Sequence, residues 1–397
     1  MKNILCILFI YIFVSNCIHS QQNGDITELK LIISKKTDFC RDIDCGLPPL
    51  SMMGHHINIR YLDDTLFYIH ISANMEKLYV YNQISHEIRS IPLDSVNGLG
   101  IRQLYYHNHD SIFFLYEEPH VYKMKQYLEK NIADFLLING RTEELWDTYQ
   151  LDSVPFHFNG DISQWICLDG ATIEMNRIKD GNLLIAYNIY FPYPSQNYNP
   201  RLVCSYNLAD HTLKMLNIKT PSHFIGRKYG DYNSPVINWA IDGNLLVSFG
   251  GDASLFKYDF ASDSMYSVYQ DTNRILLNID SAQMKKNKDY MNIYFWDIMY
   301  CSTLNLYCRT ATIKTGKNND LYFTEFWDTN FNHLGYCFEN ADYEHPFCSE
   351  DGVLRVKNKK TDEYFEVANI QPVKKNFKEV KKQYFVHRKG KKTIEEF

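Results

Sequence analysis

The chain has 397 residues, 45% of them hydrophobic and 15% aromatic, with 30 Tyr and 24 Phe against 18 Gly and 12 Pro. That hydrophobic content excludes general disorder, and a formal net charge of −6 leaves no electrostatic footprint for a nucleic-acid partner. Tyr and Phe suit pleated, half-buried surfaces, so the composition points to β-sheet.

The first predicted element is a targeting segment. Lys2 supplies a positive n-region and Ile4–Val14 is an unbroken apolar run of 11 residues. A hydrocarbon layer of about 30 Å takes about 20 apolar residues as helix, so this run is too short to span and matches the core of a secretory signal. Val14-Ser15-Asn16-Cys17 is similar to a bacterial lipobox, with Asn16 where Gly or Ala is usual. Residues 1–16 then form a lipoprotein-type signal and 17–24 a tether from a lipidated Cys17, which makes the membrane one partner. Cleavage after Ser20 is the alternative and releases a soluble secreted or periplasmic chain.

Of ten cysteines, removal of Cys6 and lipidation of Cys17 leave Cys40, Cys45, Cys167, Cys204, Cys301, Cys308, Cys337 and Cys348. An oxidising compartment permits disulfides, with Cys40 and Cys45 the candidate local pair. No Cys-x-x-Cys occurs and no His pair stands near a cysteine pair, so the expectation is no metal and no cofactor.

From residue 25 the chain repeats a grammar of apolar strand, polar turn and second strand. Thr65-Leu-Phe-Tyr-Ile-His-Ile is followed by Lys77-Leu-Tyr-Val-Tyr and Glu87-Ile-Arg-Ser-Ile-Pro-Leu. Alternation of period two between turn residues marks antiparallel hairpins. A degenerate copy covers Ser111–Tyr149. The turns Asp180-Gly-Asn and Asp242-Gly-Asn open two further copies, another runs from Leu306 to Tyr336, and the last starts at Asp351-Gly-Val-Leu-Arg-Val. Six units of roughly 45–70 residues predict an all-β fold, a six-bladed β-propeller of four-stranded antiparallel blades over residues 25–373. Asp25–Ser34 is the expected extra strand that closes the ring and removes exposed sheet edges. A β-sandwich with an appended domain is the alternative. Residues 374–397, dense in lysine, read as a basic C-terminal strand and tail.

Reaction signatures are absent: there is no Gly-x-Ser-x-Gly elbow, no phosphate loop and no His-Glu-x-x-His. His107, His109 and Asp110 invite an acid–base or metal reading, but the sequence His-Asn-His-Asp-Ser reads first as a surface turn. Trp239, Trp296 and Trp327 are expected between blades. The aromatic insertion with Tyr190, Phe191, Tyr193 and Tyr198 is the candidate ligand-binding loop, since flat rings beside Asn and Gln suit sugars or peptides.

Ile298-Met-Tyr-Cys-Ser-Thr-Leu-Asn-Leu-Tyr-Cys-Arg, then Asp328-Thr-Asn-Phe-Asn-His-Leu-Gly and Ser349-Glu-Asp-Gly-Val-Leu-Arg-Val, resemble the C-terminal part of Bacteroidota lipoproteins with a six-bladed, TolB-like propeller, domain-of-unknown-function family 4221. Cys301 and Cys308 depart from that pattern, as does the lack of an Asp-Pro. The resemblance implies a lipidated envelope protein with no assigned reaction and carries over no catalytic residue. Asp-Ser and Asp-Thr pairs such as Asp64-Thr65, Asp110-Ser111 and Asp263-Ser264 are similar to O-glycosylation acceptors of such bacteria, and equally fit ordinary turns. The expected function is a monomeric, membrane-anchored binding or scaffold propeller facing the periplasm and recognising a protein or glycan at one rim. A propeller hydrolase or lactonase with a polar channel is the alternative.

Overall fold

A computed structural model describes residues 25–37, 58–71, 77–92, 100–117, 134–138, 145–150, 165–167, 175–179, 181–186, 188–191, 199, 201–210, 212–222, 235–270, 293–313 and 321–376. Among the described residues, every regular element of any length is a strand. After β1 (Asp25–Thr37), an antiparallel sheet is built from β2 (Asn58–Leu62), β3 (Thr65–Ile71), β4 (Lys77–Asn82) and β5 (Ile88–Pro92). The next contains β6 (Gly100–Asn108), β7 (Ser111–Glu117), β8 (Asp134–Ile138) and β9 (Leu145–Gln150).

The following segment comprises β10 (Trp165–Cys167), β11 (Met175–Lys179), β12 (Asn182–Ala186), β13 (Asn188–Phe191), β14 (Arg201–Asn207) and β15 (Leu213–Lys219). Strands β11, β12, β14 and β15 form a sheet, while β13 leaves it to pair with β10. A further sheet holds β16 (Pro235–Trp239), β17 (Leu245–Phe249), β18 (Asp252–Asp259) and β19 (Ser264–Tyr269). Last come β20 (Ile293–Cys301), β21 (Leu306–Ile313), β22 (Leu321–Trp327), β23 (His333–Phe338), β24 (Phe347–Cys348), β25 (Leu354–Lys357) and β26 (Tyr364–Asn376), joined with β1 in the order β20-β21-β22-β23-β1-β26-β25-β24.

Turn chemistry fixes these registers. Asp63 and Asp64 both take positive φ (49° and 58°), the conformation a two-residue hairpin needs to match strand twist. Gly243 (φ 83°) serves the Asp242-Gly-Asn turn as its sequence predicts. The Asp-Ser/Thr pairs that can be placed sit at such turns: Asp263, at φ 47°, accepts bonds from the Tyr258 hydroxyl and the Asn217 amide.

The core lies between sheets. Ala240, Leu246 and Leu255 pack against Ile298, Tyr307 and Trp327 of the next sheet. Leu66, Tyr68 and Tyr81 of the first sheet pack against Tyr364 and Phe347 at the C-terminal end of the chain. The chain therefore returns on itself: its first and last sheets are neighbours.

Strand β1 holds that return in place. It pairs antiparallel with β26 from Asp25↔Asn376 to Thr37↔Tyr364, and meets β23 in parallel at Glu28↔Tyr336. Gly335 (φ 144°) makes the second contact possible, because a Cβ there would collide with the Thr27 carbonyl. Lys375 forms an ion pair with the buried Glu28. Lys374 and Lys375 thus belong to β26 and are not free tail.

Arg309 bolts two sheets together. Its side chain and that of Glu325, its cross-strand partner, are fully buried and paired at 2.7 Å. The same guanidinium donates to Ser248 Oγ (3.1 Å) and to the carbonyls of Asp252 (3.2 Å) and Ala253 (2.6 Å) in the neighbouring sheet, with Phe295 against its face at 4.1 Å.

Trp327 is buried between sheets as expected, but Trp296 is not: it is 47% exposed. A register shift between Phe295 and Ile298 breaks the alternation of β20, turning Phe295 inward and Trp296 out, where its indole N–H donates to Thr312 Oγ1. Trp239 is half-buried and stacks on Phe260 of its own sheet.

Candidate functional site

The first strands of separate sheets lie against one another, β2 on β6, β6 on β11 and β16 on β20, and within the eight-stranded sheet its two end strands meet, β20 on β24. At the end where each first strand turns into the second, polar side chains from separate sheets meet. Arg60 of β2 reaches Glu350, in the turn after β24, at 3.3 Å. Its Nη2 donates to the Tyr105 hydroxyl at 3.4 Å and its Cζ lies 5.0 Å from the centre of that ring. The His107 ring stacks on the far part of the group, 6.0 Å from Tyr105.

Half-buried His107 has its pKa lowered, first by desolvation and then by the Arg60 charge, so the neutral imidazole is favoured. Among the described residues, Arg60 Nε and His107 Nδ1 have no hydrogen-bond partner. Two directional polar atoms are thus left to a ligand or to water.

Glu350 also lines a cavity of about 190 Å³, with Asn238, Trp239, Met299, Tyr300 and Ser349 in its wall. Asn238 is held by donating to the Ile298 carbonyl (2.9 Å) and to Met299 Sδ (3.0 Å). The Glu350 turn is rigid for a separate reason. Arg355 grips the next residue, Asp351, through two bonds of 2.7 and 2.6 Å, and Ser349 Oγ donates to the same carboxylate. Burial works against the Asp351 anion, but these bonds outweigh it and hold its pKa below the usual carboxylate range.

His107 was legible in the sequence, though as a surface turn; it is half-buried on β6, while His109 occupies the turn and bonds the Tyr106 hydroxyl at 2.6 Å. Arg60, Tyr105, Asn238 and Glu350 carry no sequence signal, because each comes from a different sheet or strand and no spacing links them. The predicted Cys17, Cys40, Cys45, Tyr193 and Tyr198 lie outside the described residues. Tyr190 and Phe191 fall on β13, where Phe191 pairs in register with Trp165. Among the described residues, one group of metal-ligating side chains comes together, Cys301, Cys308 and Cys348. It lies behind the cavity wall, next in sequence to Tyr300 and Ser349.

A scan against protein-family models finds no match, and a search of curated proteins finds none either. Among solved structures, a member of domain-of-unknown-function family 4221 from Bacteroides vulgatus is similar over 87% of this chain and 99% of its own, with 17% identity and a TM-score of 0.58. That likeness shows a shared fold. A Bacteroides fragilis protein described as exported is similar over 88% of this chain and 96% of its own (13% identity, TM-score 0.41). The Dos1 propeller is similar over 79% of this chain and 67% of its own (13% identity, TM-score 0.38). The described residues are mostly β-strand, and propellers are among the solved structures this chain is similar to.

Proposed function

We propose that this chain is an exported six-bladed β-propeller, TolB-like in type and lipid-anchored through Cys17, which binds a peptide or glycan without transforming it. If the eight-stranded sheet is divided into β20–β23 and β24–β26 with β1, the two halves and the four four-stranded sheets support a count of six blades. The contact of the first sheet with the last supports a closed ring, with β1 as the closing strand. The short apolar segment ahead of Cys17 supports export.

The observation that carries the binding reading is the cavity where sheets converge, walled by an indole, a phenol, an amide and the Glu350 carboxylate. At about 190 Å³ it is smaller than the roughly 300–1,000 Å³ of pockets that engulf whole small molecules. It suits one sugar ring or one side chain of a longer ligand. A hydrolase or lactonase is the second reading, favoured by His107 beside the Arg60–Glu350 pair.

The test uses the full chain, expressed with labelled palmitate and recovered from membranes, then applied to arrays of envelope-derived peptides and oligosaccharides. The label is expected on wild type and absent from Cys17→Ala. Trp239→Ala and Glu350→Gln are each expected to weaken array binding by about tenfold or more, as truncation at the centre of a contact does. Binding untouched by both substitutions would refute the assigned site. Ester or lactone turnover that disappears in His107→Gln would install the enzyme reading instead.

A further inference from the structure

Cys301 ends β20, Cys308 lies on β21 and Cys348 ends β24. In the β20–β21 hairpin Cys301 is opposite Leu306 and Met299 is opposite Cys308, so the two cysteines are diagonal neighbours on one face. Their sulfurs are 3.4 Å apart. Cys348 arrives from the far end of the same eight-stranded sheet, because β24 lies against β20 and β21. All three thiols fall within 4.8 Å of one another.

Their surroundings are apolar: Leu306, Phe326, Leu354 and Val356 complete the cluster. A buried cysteine is often just a small hydrophobe, and Cys337 behaves as one, its thiol pushed up to about 12 by burial. Cys301, Cys308 and Cys348 differ from it, because their three sulfurs converge on one point.

The geometry fits a metal. Metal–thiolate bonds of about 2.3 Å place neighbouring sulfurs about 3.8–4.0 Å apart, between the 3.4 Å contact and the 4.8 Å limit seen here. Ligand type selects the ion. Among the described residues no imidazole or carboxylate joins the group, and a soft donor, the Met299 thioether, belongs to a side chain packed against the same cluster. A closed zinc site takes four ligands, often His or Cys, whereas thiolate and thioether donors favour copper(I). Charge agrees: two thiolates on a monovalent ion, with the third thiol neutral, leave a single negative charge in the core.

We propose that Cys301, Cys308 and Cys348 form a binding site for a soft monovalent cation, copper(I), seated behind the wall of the cavity. Met299, Tyr300 and Ser349 line that cavity, and Tyr300 and Ser349 are next in sequence to Cys301 and Cys348. Each thiol that binds as thiolate releases its proton to solvent, and no electron is transferred.

The test is anaerobic titration of the reduced full chain with copper(I) against a chromogenic copper(I) chelator. Wild type is expected to withdraw one ion equivalent that Cys308→Ser and Cys348→Ser lose, with affinity down by about tenfold or more. Cys204→Ser and Cys337→Ser are expected to retain it. Near-ultraviolet thiolate-to-copper absorption should rise with that equivalent. Melting of the metal-free variants separates loss of the site from loss of the fold, and the wild-type titration is decisive without any variant. Failure of wild type to compete with the chelator overturns the proposal. So does retention of the ion by Cys348→Ser, binding of zinc in preference to copper(I), or a Cys301–Cys308 disulfide in the chain as isolated.

Discussion

Arg309→Met is expected to destabilise the fold by about 3–5 kcal/mol, the cost of leaving one member of a buried ion pair without its partner. Glu325 has no exposed surface to retreat to, and its Oε2 takes both the Nε and Nη2 bonds of Arg309. Four acceptors in the neighbouring sheet lose their donor at the same time. The methionine keeps the aliphatic length and the contact with Phe295, so packing changes little. Urea denaturation reads the loss directly, as a fall in midpoint at constant slope. The double substitution Arg309→Met with Glu325→Met should recover most of it, since no charge is then stranded. A single-variant loss below about 1 kcal/mol would show that the pair is solvated.

Acid should weaken the protein through His333. Its ring lies between Tyr269, Trp327 and Tyr336, with centroid separations of 5.4, 5.6 and 4.6 Å. Desolvation first, and then the Arg309 charge, push its pKa down to about 4. The unfolded chain takes up this proton near pH 6.5, the folded chain only near 4. Stability from this group is therefore complete above about pH 6.5 and is lost as pH falls towards 4, by about 3 kcal/mol in total. Denaturation midpoints at a series of pH values should show that limb, and His333→Phe should flatten it. An unchanged limb in His333→Phe would assign the acid sensitivity to other groups. The two effects are linked, because Arg309→Met removes a charge that opposes His333 protonation.

Much of the fold was readable because hairpins are local. Period-two alternation and the Asp-Asp and Asp-Gly-Asn turns place β3, β17 and β25 within a few residues, and the apolar positions of Asp25–Ser34 mark β1 as a strand before any partner is known. Trp296 was misread because a bulge in β20 inverts the alternation locally, and a bulge leaves no trace in composition. The site was mostly illegible for a different reason. Arg60 and Glu350 are 290 residues apart and meet only because the chain returns on itself. The thiol group has the same origin: Cys301 and Cys308 share a hairpin, but Cys348 joins them across a sheet.

The ring proposed for this protein depends on that return, which places the first sheet beside the last. A double-mutant cycle on Arg60→Met and Glu350→Gln, read by urea denaturation, tests it most directly. Residues in contact couple by about 0.5–3 kcal/mol, and separated ones add within about 0.3–0.5. With side chains 12% and 26% exposed, this pair lies between a surface and a buried ion pair. A coupling of about 1 kcal/mol is the predicted result. Strict additivity of the two substitutions would contradict the meeting of the first and last sheets at Arg60 and Glu350.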